Sequence, residues 1–253
     1  MKALTTQPNL VEQVRSAILG EIASGRLGPG ERIIQEQIAQ TLGVSRQPVQ
    51  QALLLLRNEG ALRDAPGRGL IVAPLAADEV EHMYDMRAVV EGLAARLAAA
   101  HNAERARIEG PALIDAGRKA AASGALAKLV AADMRFHQFV YELSGNPLIA
   151  PAMAPHWTQT QRVMGEVLLK DETPREIWDQ HAAVLDAIAR GRPDEAEKQA
   201  RRHISQAAEI MVARLRGGAT SADPGSKREH VDTPALTPAR ALGRGLRPRA
   251  GRP

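Results

Sequence analysis

The sequence of 253 residues contains no cysteine, very few aromatic residues and no long apolar run. The lack of cysteine excludes disulfide scaffolds and thiolate metal sites, and it is typical of proteins from a reducing cytoplasm. Because no stretch of about 18 apolar residues is present, we expect no membrane-spanning helix and no membrane partner. The first ten residues also lack the apolar segment of a secretory signal peptide, so the sequence predicts a cytoplasmic protein.

Aromatic residues make up only 2% of the chain, whereas hydrophobic residues as a whole reach 44%. That hydrophobic content is enough to form a core, which excludes a wholly disordered chain. Alanine and leucine dominate, and both are good helix formers, while the residues that favour strands are scarce. The composition therefore predicts a mainly α fold.

The net charge of +4 is unevenly distributed along the sequence. Residues 217–253 contain seven Lys and Arg against three Asp and Glu, so they account for the whole excess. This segment is rich in Gly, Pro, Ala and Arg and has no apolar periodicity, which predicts a disordered basic tail. Residues 1–74 contain eight basic and six acidic residues, a balance that does not by itself indicate DNA binding.

Three amphipathic helices are predicted within residues 1–74. The first begins near Asn9 and repeats an apolar residue every four positions. The second is short and ends at Gly43, and the third begins at Ser45, a favourable N-cap residue, and ends at Gly60. Two helices joined by a short glycine-containing turn are typical of a helix-turn-helix.

Two short extended runs follow, Ala61–Arg63 and Leu70–Val72, separated by the turn sequence DAPGRG. They predict a β-hairpin, and a helix-turn-helix followed by a basic hairpin is a winged-helix DNA-binding domain. The third helix would enter the major groove of double-stranded operator DNA. The alternative is three core helices whose polar face is simply solvated. The candidate DNA contacts are Ser45, Arg46, Gln47 and Gln50 on the third helix, and Arg63 and Arg68 on the wing.

Residues 75–216 show helical periodicity throughout and predict an antiparallel helical bundle. Proline is favoured at helix starts, where Pro174 and Pro193 lie, and glycines occupy the gaps between helices. The predicted helices lie near 77–101, 103–122, 125–143, 147–169, 174–190 and 193–216.

Four metal-binding side chains lie within apolar stripes of three of these helices. They are Asp133, His137, His181 and His203. Asp133 and His137 are four residues apart, so their side chains point together. Because unpaired burial of polar groups is costly, the set predicts a shared divalent metal ion bound through nitrogen and oxygen, such as zinc, nickel or manganese. Alternatively, each histidine is a hydrogen-bonded core residue, and Asp133 pairs with Arg135 or Arg87.

Arg87 shares an apolar stripe with Met83, Val90 and Ala94, so it is predicted to point inward. An inward arginine beside a metal is suited to bind a carboxylate ligand through two hydrogen bonds, which makes Arg87 a candidate effector-binding residue. An ordinary ion pair with Glu91 is the alternative.

The stretch from Pro29 to Leu75, PGERIIQEQIAQTLGVSRQPVQQALLLLRNEGALRDAPGRGLIVAPL, resembles the DNA-binding domain of the GntR family of bacterial transcription regulators. Arg46 matches the pattern of that family. Gln50 and Gln51 stand where many members have Arg-Glu, and Glu36 stands near a position where many have arginine. These departures imply an operator that differs from the usual one.

The stretches MYDMRAVVEGLAARLAA and DMRFHQFVYELSGNP, together with His181 and His203, resemble the all-helical FCD ligand-sensing domain of the FadR-like branch of that family. The resemblance implies a metal held by one aspartate and three histidines. It also implies a small carboxylic acid bound near that metal, and a homodimer.

These observations favour a ligand-responsive transcription regulator over two alternatives. One is a regulator for which the metal itself is the signal, which the same residues would serve. The other is a metal-dependent hydrolase, but the sequence contains no H-E-x-x-H motif, no phosphate-binding glycine loop and no nucleophile elbow.

Overall fold

The computed structural model describes residues 10–168 and 174–220. Within these residues the chain forms ten α-helices, one 3₁₀ turn and three short strands, so the predicted mainly α fold is confirmed. The apolar side chains form two separate cores. One lies among the first three helices and the strands, and the other lies within the helical bundle.

The N-terminal part is a winged helix-turn-helix, as the sequence predicts. Its three strands form one antiparallel sheet in the order β1-β3-β2, in which Arg63 of β2 faces Ile71 of β3. The sequence does not predict the first strand, because two residues are too few to show the alternation of buried and exposed side chains that marks a strand. The elements are α1 (Leu10–Ala23), β1 (Arg32–Ile33), α2 (Gln35–Leu42), α3 (Arg46–Asn58), β2 (Leu62–Asp64) and β3 (Leu70–Val72).

The turn between α2 and α3 depends on Gly43, which adopts a left-handed φ of 64°. This conformation ends α2 without steric cost, because glycine has no Cβ. Ser45 occupies the N-cap position of α3 as predicted, but its hydroxyl makes no capping hydrogen bond. Val49, Ala52 and Leu56 are fully buried, which fixes the face that α3 leaves exposed.

Seven helices form the bundle, in which α4 packs against α10 and α6, and α5 packs against α9 and α6. No helix formed by the described residues is long and apolar enough to cross a bilayer. The bounds are α4 (Ala77–His101), α5 (Ala103–Ala122), α6 (Leu126–Ser144), α7 (Ile149–Met153), α8 (Trp157–Leu168), α9 (Pro174–Ala189) and α10 (Pro193–Thr220).

The single helix predicted over 147–169 is wrong. A 3₁₀ turn at Ala154–His156 separates α7 from α8. Pro155 explains the break, because proline has no N–H to donate and its ring clashes with the preceding turn. At the C-terminal end of the described residues, α10 continues to Thr220, four residues beyond the predicted end at residue 216. The remainder of the predicted basic tail, residues 221–253, lies outside the described residues.

A close contact between α5 and α9 places the histidine of α9. A Cβ at Gly117 would lie 2.0 Å from the ring of Trp178, so only glycine lets α5 approach this ring. Trp178 is fully buried, and its ring centroid is 4.7 Å from that of His181. The indole of Trp178 therefore fixes the side chain of His181, one turn later on α9, in the bundle interior.

Candidate functional site

Three histidines from three helices meet in the interior of the bundle. His137 lies on α6, His181 on α9 and His203 on α10, and each offers one ring nitrogen within 4.8 Å of the others. The Nε2 atoms of His181 and His203 are only 3.0 Å apart. All three side chains are buried. The helical spacing of the sequence therefore pointed to residues that the fold does bring together.

Asp133, the fourth predicted ligand, borders the same cluster. Its carboxylate oxygens lie 3.5 Å from Nε2 of His181 and 3.8 Å from Nε2 of His137. The alternative partners of Asp133 are engaged elsewhere, since Arg135 pairs with Glu142 and Arg87 pairs with Glu91. Asp133 therefore faces imidazoles, with no direct ion pair to either arginine.

Two side chains orient the histidines from behind. Nδ1 of His137 lies 2.5 Å from Oε2 of Glu91, and Nδ1 of His203 lies 2.8 Å from Oε1 of Gln180. A protonated Nδ1 that donates to such an acceptor leaves Nε2 with its lone pair directed into the cluster. Nδ1 of His181 has no hydrogen-bond partner among the described residues.

The electrostatics of the cluster favour neutral rings at two of the three histidines. Burial lowers the pKa of His203 to about 3, and the pKa of His181 also lies well below its usual value, through burial and the neighbouring His203. Burial opposes protonation of His137 as well, but Glu91 and Asp133 raise its pKa. Burial raises the pKa of Asp133. Neutral imidazoles are the form that binds metal.

The residues present fit a divalent cation. Imidazole nitrogens bound to one ion at about 2.0–2.1 Å lie roughly 3–4 Å from one another, and the Nε2 atoms of His181 and His203 are 3.0 Å apart. Two neutral nitrogens 3.0 Å apart also need a proton or a cation between them. The donors would be His137, His181 and His203 with the Asp133 carboxylate, and the ion would supply a positive centre that attracts anions.

Arg87 lies beside this cluster and is almost fully buried. Its Nε donates to Glu91 over 2.8 Å, so the predicted alternative, an ion pair with Glu91, is formed. Burial disfavours the charge of Arg87, yet the Glu91 carboxylate together with Tyr84 and Tyr141 raises the arginine pKa. The guanidinium also lies 4.7 Å from the ring centroid of Tyr84, so it stays charged and is held in place.

Arg87, Asp133, His137 and His203 line one cavity of about 60 Å³. Such a volume holds a few heavy atoms, since one water needs about 10–15 Å³ on the same measure. The rest of the wall combines apolar side chains, such as Met164 of α8 and Ile204 of α10, with the polar side chains of Glu176, Gln180 and Gln206. The cavity suits the carboxylate end of a small molecule, with a cationic side chain on one wall and imidazoles on another.

Helix α8 links this cavity to the winged helix through two opposite faces. On the inner face, Oγ1 of Thr160 lies 3.4 Å from Nη1 of Arg87, and Met164 lines the cavity. On the outer face, Thr158 donates to Oε2 of Glu59 over 2.6 Å, and Glu59 in turn pairs with Arg15 of α1. The helical period separates the two sets, since residues four apart share a face.

Arg162 strengthens the outer contact of α8. It is 3% exposed, and its guanidinium donates to the backbone oxygens of Gly60 and Ala73, on either side of the wing. Burial lowers its pKa to about 10, so it remains charged at neutral pH. Three residues further on, a Cβ at Gly165 would lie 2.1 Å from the Ala23 carbonyl oxygen, so α8 and α1 are in direct backbone contact.

The six predicted DNA contacts are all exposed, on α3 and around the wing. Gln47 and Gln50 line a groove between α3 and the wing, together with Gln35, Gln51 and Leu54. Leu54 is 48% exposed. The face of α3 that points away from the core thus presents amide groups, the apolar Leu54 and, toward its C-terminal end, Arg57, and such groups can contact base edges.

Arg46 does not stand alone on this surface. Its guanidinium forms an ion pair with Glu36 of α2, and its backbone oxygen accepts a hydrogen bond of 3.0 Å from Nε2 of Gln35. At the wing, Arg32 donates to the backbone oxygen of Arg68. Sequence reasoning noted Glu36 only as a departure from a pattern, and it missed Gln35 and Arg32.

Sequence reasoning also missed most of the residues around the buried cluster. Gln180 precedes His181 directly, and adjacent helical residues do not share a face, so nothing indicated an inward role for both. Thr160 and Trp157 belong to the segment predicted as one long helix, and the Trp157 ring centroid lies 5.9 Å from that of His137. Glu91 was considered only as a partner of Arg87, whereas it bridges Arg87 and His137.

Comparisons with known protein families find two matching regions, one in the winged helix and one in the helical bundle. Residues 10–72 match the family model described as bacterial regulatory proteins, gntR family, and residues 82–206 match the FCD domain. A protein described as a probable D-xylose utilization operon transcriptional repressor from Paenarthrobacter nicotinovorans is 28% identical over 79% of this chain and 88% of its own length. The Nta operon transcriptional regulator of Aminobacter aminovorans is 27% identical over 76% of this chain and 90% of its own.

Solved structures show the same fold. Escherichia coli McbR/YncC superposes with a TM-score of 0.68 at 21% identity, over 84% of this chain and all of that one. A GntR-type regulator from Rhodococcus sp. RHA1 gives a TM-score of 0.65 at 22% identity, over 82% of this chain and 97% of that one.

Proposed function

Because this chain belongs to the GntR family of bacterial regulatory proteins and carries an FCD domain, we propose that its binding to operator DNA responds to a small carboxylic acid bound beside a divalent metal ion. The observation that carries the proposal is the cavity that Arg87 lines together with Asp133, His137 and His203, the last two being members of the histidine cluster. A cation and a guanidinium on two walls of one small cavity favour an anionic ligand.

The chain's own residues have distinct roles in this proposal. His137, His181, His203 and Asp133 hold the metal, while Glu91 and Gln180 orient two of the imidazoles. Arg87 binds the carboxylate of the effector with donors that its bond to Glu91 leaves available, because a guanidinium has five N–H groups. Tyr84 and Met164 form apolar walls that exclude bulk water.

We propose that α8 transmits the state of the cavity to the winged helix. An effector that contacts Arg87 changes the surroundings of Thr160 on the inner face of α8. The outer face of the same helix contacts Glu59, Gly60 and Ala73 of the winged helix. The effector can shift the position of the recognition helices only by binding one arrangement more tightly than the other.

A homodimer that binds a palindromic operator completes the proposal, since a two-fold protein matches a two-fold site. Two apolar side chains support a contact between protomers. Val89 and Leu93, one turn apart on α4, are 53% and 42% exposed. Light scattering of the purified chain, alone and with operator DNA, measures this directly.

The test compares wild type with His203→Ala and Arg87→Lys. Metal content is measured by elemental analysis after reconstitution with zinc, nickel or manganese. Affinity for an operator obtained by selection is measured with and without a panel of small mono- and dicarboxylic acids. We expect His203→Ala to lose stoichiometric metal, and Arg87→Lys to keep the metal but to lose most of the response to acid, because lysine cannot form the two-point contact.

The outcomes separate the alternatives. If metal alone changes operator affinity and no acid adds to it, the protein is a metal-responsive regulator. If wild type binds none of the three metals stoichiometrically, the four residues form a buried hydrogen-bond network, and the metal part of the proposal is wrong.

A further inference from the structure

Helix α3 is the recognition helix of the proposed function. Its first residue, Arg46, is held at two points by Gln35 and Glu36, the first two residues of α2. Gln35 donates its side-chain amide to the backbone oxygen of Arg46, and Glu36 pairs its carboxylate with the Arg46 guanidinium. Both side chains of the ion pair are exposed, at 69% for Arg46 and 47% for Glu36. Exposed ion pairs add little to stability, so the conformation of the fold does not require this pair.

The pair changes what Arg46 can do at a DNA surface. An arginine without a carboxylate partner is attracted to the phosphate backbone of the duplex. The backbone binds cations whatever the base sequence is. A carboxylate beside it cancels much of this attraction and repels phosphate itself. It leaves the pairing geometry intact, because Nη2 has a second proton and Nη1 has two. These protons can reach O6 and N7 of guanine, the commonest specific contact of arginine.

The rest of the exposed face of α3 makes the orientation of Arg46 decisive. Arg46 is the first residue of α3, and no other charged residue follows it in the sequence until Arg57. Gln47, Gln50, Gln51 and Leu54 offer amide and apolar contacts only. Arg57, at the far end of the same groove, is paired with Asp64, so Arg46 is the charged donor at the N-terminal end of this face.

We propose that Glu36, assisted by Gln35, is a specificity-determining residue that positions Arg46 on a guanine of the operator and suppresses binding to DNA of random sequence. The inference rests on the proposed function, in that the winged helix must read DNA through α3. It adds a role for a carboxylate that contacts no DNA base itself.

The experiment uses the full chain and four variants: Glu36→Gln, Arg46→Ala, the double variant and Glu21→Gln. Glu21→Gln is the matched control, because it breaks an exposed ion pair with Arg26 in the same domain. The side chain of Glu21 is 45% exposed and that of Arg26 is 66% exposed. Each protein is put through operator selection. Its affinity for the selected operator and for random-sequence DNA is measured over a range of salt.

We expect Glu36→Gln to bind random-sequence DNA about threefold to tenfold more tightly at low salt. The slope of the logarithm of the binding constant against the logarithm of salt concentration should be steeper by about one, because one more arginine can neutralise a phosphate. Its preference for guanine at one position of each half-site should fall about tenfold. Arg46→Ala should lose the same preference, and the double variant should lose no more. Glu21→Gln should behave as wild type, and all unfolding temperatures should agree to within about 2 °C.

The inference is overturned if Glu36→Gln keeps the wild-type guanine preference and the wild-type affinity for random DNA. It is also overturned if both affinities fall together, which would indicate a structural role. A wild-type chain that selects no sequence contradicts the DNA-reading function itself, whereas a selective wild type with an indifferent Glu36→Gln variant contradicts only the role of Glu36.

Discussion

The interior of the bundle and the DNA-facing surface of the winged helix use the same residue types in opposite surroundings. Arg87 and Glu91 form a pair whose side chains are 3% and 4% exposed, while Arg46 and Glu36 form one that is mostly exposed. A buried charge that loses its partner stays out of water, whereas an exposed one is solvated at once. The buried pair therefore contributes to the fold itself, whereas the exposed pair contributes little to it, and the role that we propose for the exposed pair is at the DNA surface.

The largest expected effect tests the buried half of this comparison. Glu91→Gln leaves Arg87 buried without a counter-charge, and breaking a buried pair in this way costs about 3–5 kcal/mol. We expect that loss in the free energy of unfolding, measured with urea in the presence of a chelator so that metal binding does not contribute. The same variant should also bind metal more weakly, because Glu91 orients His137.

The matched control is Glu109→Gln on α5. Arg105 and Glu109 have the same i,i+4 spacing and a nearly equal distance of 2.9 Å, but both side chains are about half exposed. We expect no measurable change in the urea midpoint. Equal losses for the two variants would show that burial does not separate the two kinds of pair.

A smaller effect is expected where the two regions meet. Gly165→Ala places a Cβ against the Ala23 carbonyl oxygen and should reduce the free energy of unfolding by about 1–3 kcal/mol, as overpacking does. Gly20→Ala, on α1 with no atom within 4 Å of the added Cβ, should instead stabilise by up to about 1 kcal/mol. Calorimetry of both variants is the measurement. If Gly165→Ala is neutral, α8 is not held as tightly against α1 as the structure indicates.

The smallest effect concerns the basic C-terminal segment. Its composition predicts no part in either core, so a chain that ends at Thr220 should keep its unfolding temperature and its operator preference. Removing a net charge of +4 should lower the affinity for random-sequence DNA at low salt only. A truncated chain that unfolds several degrees lower would show that the segment packs on the rest of the protein.

Periodicity predicted much of the bundle, because each inward side chain recurs at a helical spacing. The bounds predicted for the helices now numbered α4 and α5 match the structure, and the stripes of His181 and His203 do lead into one cluster. The GntR and FCD resemblance is confirmed by the family comparisons. The roles of the individual metal, effector and DNA residues stay predictions.

The contacts of α8 could not be predicted, for a physical reason. Thr158 and Glu59 are 99 residues apart, and their hydrogen bond depends on two elements that only the tertiary fold brings together. The break at Pro155 was readable in principle, since proline disfavours a helix interior. Strand β1 was not, because two residues carry no period and their pairing with β3 is set by the rest of the sheet.

Arg162 binds main-chain oxygens, and this has a consequence for how such proteins diverge. The carbonyl groups of Gly60 and Ala73 are present whatever side chains surround them. The recognition helix and the wing can therefore change their side chains, and with them the operator, without loss of this attachment. If the bundle senses a ligand as we propose, the same bundle can serve winged helices that bind different operators, so that the ligand and the set of controlled genes can evolve independently.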